Sequence, residues 1–187
     1  VMARIARPPG VAFMALAPNL RGYRAARAAE ADWVCVFAAA TEGFSRANLN
    51  APVDESLDRL AEVAEEAAKD GVPVRGYVSV VTDCPYEGEV APQAVARVAG
   101  RLLAMGCAEV SLGETLGRGL PERVGAMLDA VLAARPAAGR AGPGRGVDLR
   151  GESPAVTLGV SKQRGANAVD VTRAVRDALA RARGTVI

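Results

Sequence analysis

Three polar side chains alternate along one apolar run of the sequence. Arg75, Tyr77 and Ser79 are separated by Gly76 and Val78 within residues 72–81. Successive side chains of a β-strand point to opposite faces, so these three would project from one face of a strand. A guanidinium, a phenol and a hydroxyl directed to one place suit a binding site. Taken alone, Arg75 also fits a surface or ion-pair role, and Tyr77 fits a core aromatic whose hydroxyl has a partner.

The sequence also limits the available chemistry. Histidine is the commonest metal ligand and the usual near-neutral acid or base, and none occurs among the 187 residues. Cys35, Cys84 and Cys107 are an odd number without metal-type spacing, which indicates reduced thiols rather than a disulfide framework. Cys84 has no base near it in sequence, so we interpret it as a packing residue. A mechanism that needs imidazole must obtain it from elsewhere.

The composition favours a folded protein without a strongly charged partner. Half of the residues are hydrophobic, and 23 basic against 21 acidic side chains leave a net charge of +2. This charge is too small to predict binding to nucleic acid or to an anionic membrane. We find no signal-peptide pattern and no apolar run long enough to cross a bilayer, and we therefore expect a cytoplasmic protein.

Four apolar runs alternate with helical patterns, which is typical of βα units around a parallel sheet. The connections from strand to helix are long, at residues 41–53, 82–91 and 114–120, whereas those from helix to strand are short. In a (β/α)8 barrel the long connections build the active-site face, and an open doubly wound sheet would place its site there too. The predicted strands are residues 11–17, 33–39, 72–81 and 108–112, and the predicted helices are residues 22–30, 54–69, 92–106 and a fourth from Pro121.

The character of the sequence changes after residue 136. The stretch AAGRAGPGRG is rich in Gly, Ala, Pro and Arg and indicates a linker over residues 137–153. A strand at residues 154–160 and a helix at residues 168–183 would follow. We therefore predict a domain over residues 1–136, a linker, and an extra βα segment over residues 154–187.

Five strings in order resemble 3-hydroxy-3-methylglutaryl-CoA (HMG-CoA) lyase. They are APNLRG at residues 17–22, FSRANLN at 44–50, VRGYVS at 74–79, CPYEGEV at 84–90 and SLGETLG at 111–117. The resemblance covers about residues 10–135 and implies an α/β fold, a partial TIM (β/α)8 barrel made of its third to sixth strands.

The resemblance also implies a function. The family cleaves HMG-CoA to acetyl-CoA and acetoacetate, with a divalent cation, magnesium or manganese, that polarises substrate oxygens while a base removes a hydroxyl proton. An acyl-CoA is therefore the expected ligand. The positions that match substrate-binding positions of the family are Asn48, Arg75, Tyr77, Ser111, Glu114 and Thr115. Without the resemblance, Asn48 would also fit a simple turn former.

This sequence departs from the family pattern at several points. Glu114 stands where the family has Asp, and Thr82 and Asp83 stand where it has Leu and Gly. The Arg-Asp pair of the first barrel strand, the histidine pair of the seventh, the catalytic cysteine and the asparagine ligand have no match here. We therefore predict no catalytic residue, no metal ligand and an inactive isolated chain.

The C-terminal segment resembles a different family. Its string SKQRGANAVDV at residues 161–171 is similar to the porter domain of resistance-nodulation-division efflux pumps. A βα unit that packs on an open sheet edge would explain the segment without transport. The rival interpretations of the whole chain are a noncatalytic binding or assembly module and a chimeric fragment, and open sheet edges predict self-association.

Overall fold

A computed structural model describes residues 4–134, residues 155–159 and residue 177 of the chain. The predicted helix at residues 168–183 and the predicted linker therefore lie outside the described residues, apart from residue 177. Five helices and seven strands are described. In chain order they are β1 (Met14–Leu16), α1 (Leu20–Ala28), β2 (Trp33–Ala39), α2 (Glu42–Leu49), α3 (Val53–Lys69), β3 (Val74–Ser79), β4 (Asp83–Cys84), β5 (Gly88–Glu89), α4 (Pro92–Ala104), β6 (Glu109–Gly113), α5 (Pro121–Ala133) and β7 (Ala155–Gly159).

The main sheet has five parallel strands in the order β1-β2-β3-β6-β7. The prediction of parallel βα units is confirmed, and the fold is α/β, a partial TIM barrel. β7 pairs with β6, with Val156 opposite Val110, so the strand predicted at residues 154–160 extends the same sheet. No helix among the described residues is long and apolar enough to span a membrane.

The two faces of the sheet differ in burial. In β3, Val74, Gly76 and Val78 are buried, whereas Arg75, Tyr77 and Ser79 are half-buried. The buried face packs against the helices, because Leu57, Leu60, Val98 and Leu102 of α3 and α4 belong to the same core as Val78. The opposite face, which carries Arg75, is called the inner face below. The alternation predicted from the sequence is confirmed.

Helix ends follow local chemistry. The Asn19 side chain accepts a hydrogen bond from the Gly22 N–H at 2.9 Å, so α1 begins two residues before the predicted start. α4 begins at Pro92 and α5 at Pro121. Proline lacks an N–H, but at the first helical position no hydrogen bond within the helix is lost.

Two connections contain structure that the sequence analysis missed. Residues 41–53 were expected to be a loop, but α2 occupies most of them and ends at Asn50, whose φ is +52°. Asn tolerates this left-handed conformation, so it ends a short helix. The connection at residues 82–91 contains the antiparallel hairpin β4–β5. Strands β1 and β3 are shorter than predicted, and β3 ends before Val80, whose φ is +56°.

Candidate functional site

The inner face of the sheet is organised in rows across the strands. Parallel pairing places Arg75 between Cys35 and Glu109, and the next row along places Tyr77 between Phe37 and Ser111. Side chains in one row of a parallel sheet lie on the same face. The structure therefore brings together three of the predicted substrate-binding residues, namely Arg75, Tyr77 and Ser111.

An ion pair lies in the first of these rows. Arg75 Nε donates to a carboxylate oxygen of Glu109, and 23% of the Arg75 side chain and 12% of the Glu109 side chain are exposed. This hydrogen bond raises the pKa of Arg75 above its ordinary range. The guanidinium stays charged and is tied to the neighbouring strand.

Tyr77 and Cys35 complete this cluster. Arg75 Nη1 donates to the Tyr77 hydroxyl at 3.4 Å. Burial raises the pKa of the Cys35 thiol, although the charge of Arg75 and a hydrogen bond with Tyr77 act in the opposite direction. Burial thus favours the neutral thiol form of Cys35 beside the polar pair.

A strained residue lies where β3 ends. Val80 is fully buried and has a φ of +56°, a conformation that is rare for a β-branched side chain and costs about 1–3 kcal/mol. The Val80 N–H donates to Thr115 Oγ1 at 2.8 Å. The Thr115 hydroxyl in turn donates to the Gly113 carbonyl oxygen at 3.4 Å. Thr115 thus joins the ends of β3 and β6 through the backbone.

Glu114 lies next to this turn. Its Oε1 accepts a hydrogen bond from Thr82 Oγ1 at 3.0 Å, while its Oε2 is buried without a hydrogen-bond partner among the described residues. A Cβ at Gly119 would lie 2.9 Å from Glu114 Cγ, so Gly119 leaves the space that the longer side chain needs. Two of the three departures from the family pattern, Thr82 and Glu114, therefore contact each other.

Hydrogen bonds fix the hairpin β4–β5 to α5 on one side and to α2 on the other. Arg123 of α5 donates to the Asp83 carboxylate at 3.2 Å and to Glu89 Oε2 at 2.9 Å. On the other side the Glu87 carboxylate accepts a hydrogen bond from the Gly43 N–H at the start of α2. The hairpin therefore has a defined position at the strand-end face.

Cys84 is a packing residue of this hairpin, as expected. It is 4% exposed, and its Sγ accepts hydrogen bonds from Thr41 Oγ1 at 3.1 Å and from the Tyr86 N–H at 3.4 Å. Thr41 is itself buried. These contacts join the hairpin to the end of β2.

Asn48 lies apart from the inner-face cluster. It is exposed in the last turn of α2, which follows β2 and therefore lies at the strand-end face with Glu114 and Thr115. The predicted site residues thus form two groups. Arg75, Tyr77 and Ser111 line the inner face, and Asn48, Glu114 and Thr115 lie on the connections beyond the strand ends.

Two contacting residues were missed by the sequence analysis. Glu109 pairs with Arg75, and Thr82 holds Glu114. Alternation along β6 places Glu109 on the same face as Ser111, so the same period-two argument applied to residues 108–112 would have found it. For Thr82 no local signal exists, because its contact joins two connections that are far apart in sequence.

The described residues do not fit a divalent metal site by themselves. They contain no group of three or more His, Cys, Asp or Glu residues that could hold an ion. The unpartnered Oε2 of Glu114 is one hard oxygen donor, whereas magnesium and manganese require several converging oxygen or nitrogen ligands. The described residues alone therefore do not form a complete metal centre.

Known proteins of one family are similar to this chain in sequence. The family model described as HMGL-like matches residues 2–140. The chain is 48% identical over 137 residues to the cytoplasmic 3-hydroxy-3-methylglutaryl-CoA lyase of Danio rerio, covering 73% of this chain and 41% of that protein. It thus spans about two fifths of the length of that relative.

Solved structures agree in fold. The HMG-CoA lyase of Brucella melitensis matches with a TM-score of 0.79 and 45% identity, over 96% of this chain and 56% of that one. An HMG-CoA lyase of Acinetobacter baumannii, solved in complex with coenzyme A and 3-methylmalate, matches with a TM-score of 0.75 at 22% identity, over 94% of this chain and 52% of that one. The family match over residues 2–140 and the parallel α/β sheet together place this chain in the HMGL-like family of HMG-CoA lyases.

Proposed function

We propose that this chain carries part of the acyl-CoA site of an HMG-CoA lyase-type carbon–carbon lyase. The observation that supports this most directly is the joined cluster of Arg75, Tyr77 and Glu109 on the inner face of a sheet of this family. Arg75 would donate to an oxygen of the acyl group, and Tyr77 and Ser111 would line the same recess. Asn48, Glu114 and Thr115 would border it at the strand ends.

The isolated chain, we further propose, does not turn over HMG-CoA. A divalent cation would supply Lewis acidity to the reaction, and the 187 residues contain no histidine to help hold it or to act as a base. Losing a positioned base alone typically costs a factor of about 100–10,000 in rate. What these residues do is bind and orient an acyl group.

The test is an activity and binding assay on the purified chain. With HMG-CoA and either magnesium or manganese we expect no acetoacetate, whereas calorimetry should detect weak binding of HMG-CoA. Replacing Arg75 by Ala should abolish that binding. Acetoacetate production that disappears in Arg75→Ala would contradict the proposed inactivity, and absence of any binding would contradict the proposed site.

A second proposal, that the chain associates with itself, is supported by the edge strand β1. β1 is at one end of the strand order, and Leu16 on it is 61% exposed. An edge strand with an exposed apolar side chain pairs readily with another chain. Association could thus make this chain a noncatalytic assembly module.

Two further assignments stay proposals. We place the protein in the cytoplasm, as the name of the Danio rerio relative does for that protein. We also propose that residues 154–187 derive from a porter-domain βα unit that extends the sheet as a structural element, without transport. Pairing of β7 with β6 supports the structural part of this proposal.

A further inference from the structure

The ion pair between Arg75 and Glu109 connects two neighbouring strands on the inner face. The two residues are directly opposite each other in the pairing of β3 with β6. Both side chains are more than three quarters buried, so water competes for this pair less than it does for a surface ion pair. The pair therefore constrains where the guanidinium lies.

The contacts of Arg75 leave one side of its guanidinium available. Nε donates to Glu109 and Nη1 donates to Tyr77, and among the described residues no hydrogen bond from Nη2 is present. A guanidinium is planar and has five N–H donors in a fixed arrangement. Two fixed nitrogens therefore determine the direction in which Nη2 donates.

We propose that Glu109 is a positioning residue that directs the Nη2 donors of Arg75 toward the acyl group of a CoA thioester. This inference rests on the proposed function. Glu109 itself touches Arg75 and not the ligand. Without its carboxylate, the long Arg75 side chain regains rotamer freedom that ligand binding must remove again.

The first measurement follows the Arg75 Nε–H directly. In nitrogen-15 NMR spectra of the whole chain, the Nε–H signal that disappears in Arg75→Lys belongs to Arg75. In the wild type we expect this signal to exchange slowly with water, because the donor is paired and largely buried. In Glu109→Gln the chemical shift of this signal should change and its proton should exchange faster with water. The control is Glu89→Gln, because Glu89 is exposed and pairs with Arg123, and there both the chemical shift and the exchange rate should stay unchanged.

The second measurement separates positioning from mere stability. Calorimetry with HMG-CoA and with coenzyme A is done on the wild type, Glu109→Gln, Arg75→Lys and the double variant. We expect Glu109→Gln to weaken HMG-CoA binding by about tenfold, the size of one charge-assisted hydrogen bond, with coenzyme A binding unchanged. The double variant should bind HMG-CoA no more weakly than Arg75→Lys, because Glu109 acts through Arg75.

The outcomes distinguish the two proposals. If the wild type binds HMG-CoA and Glu109→Gln binds it equally well, or if the Arg75 signal does not change in Glu109→Gln, positioning by Glu109 is wrong while the proposed function stands. If the wild type binds neither HMG-CoA nor coenzyme A, the proposed function fails. A Glu109-dependent Arg75 signal in that case identifies a structural tether only, which also contradicts the inference.

Discussion

Glu30 adopts a backbone conformation that its side chain disfavours. Its φ is +56°, it is exposed, and it follows the end of α1. Asn50 has a similar φ of +52° at the end of α2, but Asn tolerates this region much better than Glu. Glu30→Gly should therefore raise the free energy of unfolding by about 0.5–1 kcal/mol, as measured by urea denaturation. Asn50→Gly is the control and should give a smaller gain, and an equal gain in both would show that the difference between Glu and Asn does not matter here.

Tyr23 connects α1 to the end of α3. Its hydroxyl donates to Asp70 Oδ2 at 2.6 Å, and burial together with this bond raises the pKa of Tyr23 from 10.0 to about 12. The phenol of the unfolded chain therefore loses its proton at a lower pH than that of the folded chain. The stability that Tyr23 contributes is complete below pH 10 and is lost as the pH rises through 12.

Tyr23→Phe isolates this contribution. At pH 7 we expect it to lower the free energy of unfolding by about 1 kcal/mol, the net value of one hydrogen bond. Between about pH 10 and pH 12, in the range set by the two pKa values, the difference between wild type and Tyr23→Phe should shrink. Denaturation curves across this range measure it, and a constant difference would show that Tyr23 titrates at the same pH in both states.

The sequence predicts only part of the surroundings of Arg75. Alternation on one strand correctly placed Arg75, Tyr77 and Ser79 on one face. Their neighbours Glu109 and Cys35 come from other strands, and their distance from Arg75 depends on strand register, which no pattern within a single strand determines. The substrate-binding roles of all six predicted residues stay predictions, namely those of Asn48, Arg75, Tyr77, Ser111, Glu114 and Thr115.

One arginine holds the hairpin β4–β5 to α5. Arg123 contacts Asp83 and Glu89, which lie on the two strands of the hairpin. Two-stranded hairpins are marginal without such support. Arg123→Ala should therefore increase amide hydrogen exchange across residues 82–90 and change global stability little. The control Arg97→Ala removes an exposed ion pair with Asp54 between α3 and α4, and it should leave exchange in the hairpin unchanged.

The elements themselves were predicted unevenly. Long amphipathic helices such as α3 and α4 were found with nearly correct ends, because periodicity over several turns and flanking Gly or Pro residues are strong local signals. α2 has eight residues and no side-chain hydrogen bond at its N-cap, and the asparagines near its end favoured a loop. It is held instead by tertiary contacts, including the Val53 N–H, which donates to Glu42 Oε2 at 3.2 Å.

The edge strand β1 is where we expect the molecule to associate with a second copy. Met14 and Leu16 lie on this strand with 38% and 61% of their surface exposed. A lysine on an edge strand opposes pairing with another chain. Sedimentation over a range of concentrations should show association of the wild type and a larger monomer fraction for Leu16→Lys. The control Leu120→Lys changes a similarly exposed leucine outside the sheet, and a wild type that stays monomeric throughout would contradict edge pairing.

The parallel register also has a consequence for how the chain folds. Every pairing in the main sheet joins segments separated by at least one helix, and the Arg75–Glu109 contact spans 34 residues. Such contacts form only after a long loop has closed. The chain therefore loses conformational entropy before these contacts stabilise it. We therefore expect refolding in milliseconds to seconds rather than microseconds. During synthesis, β3 would be complete and unpaired on one side until the ribosome has made β6, and its open edge would be available to a chaperone in that interval.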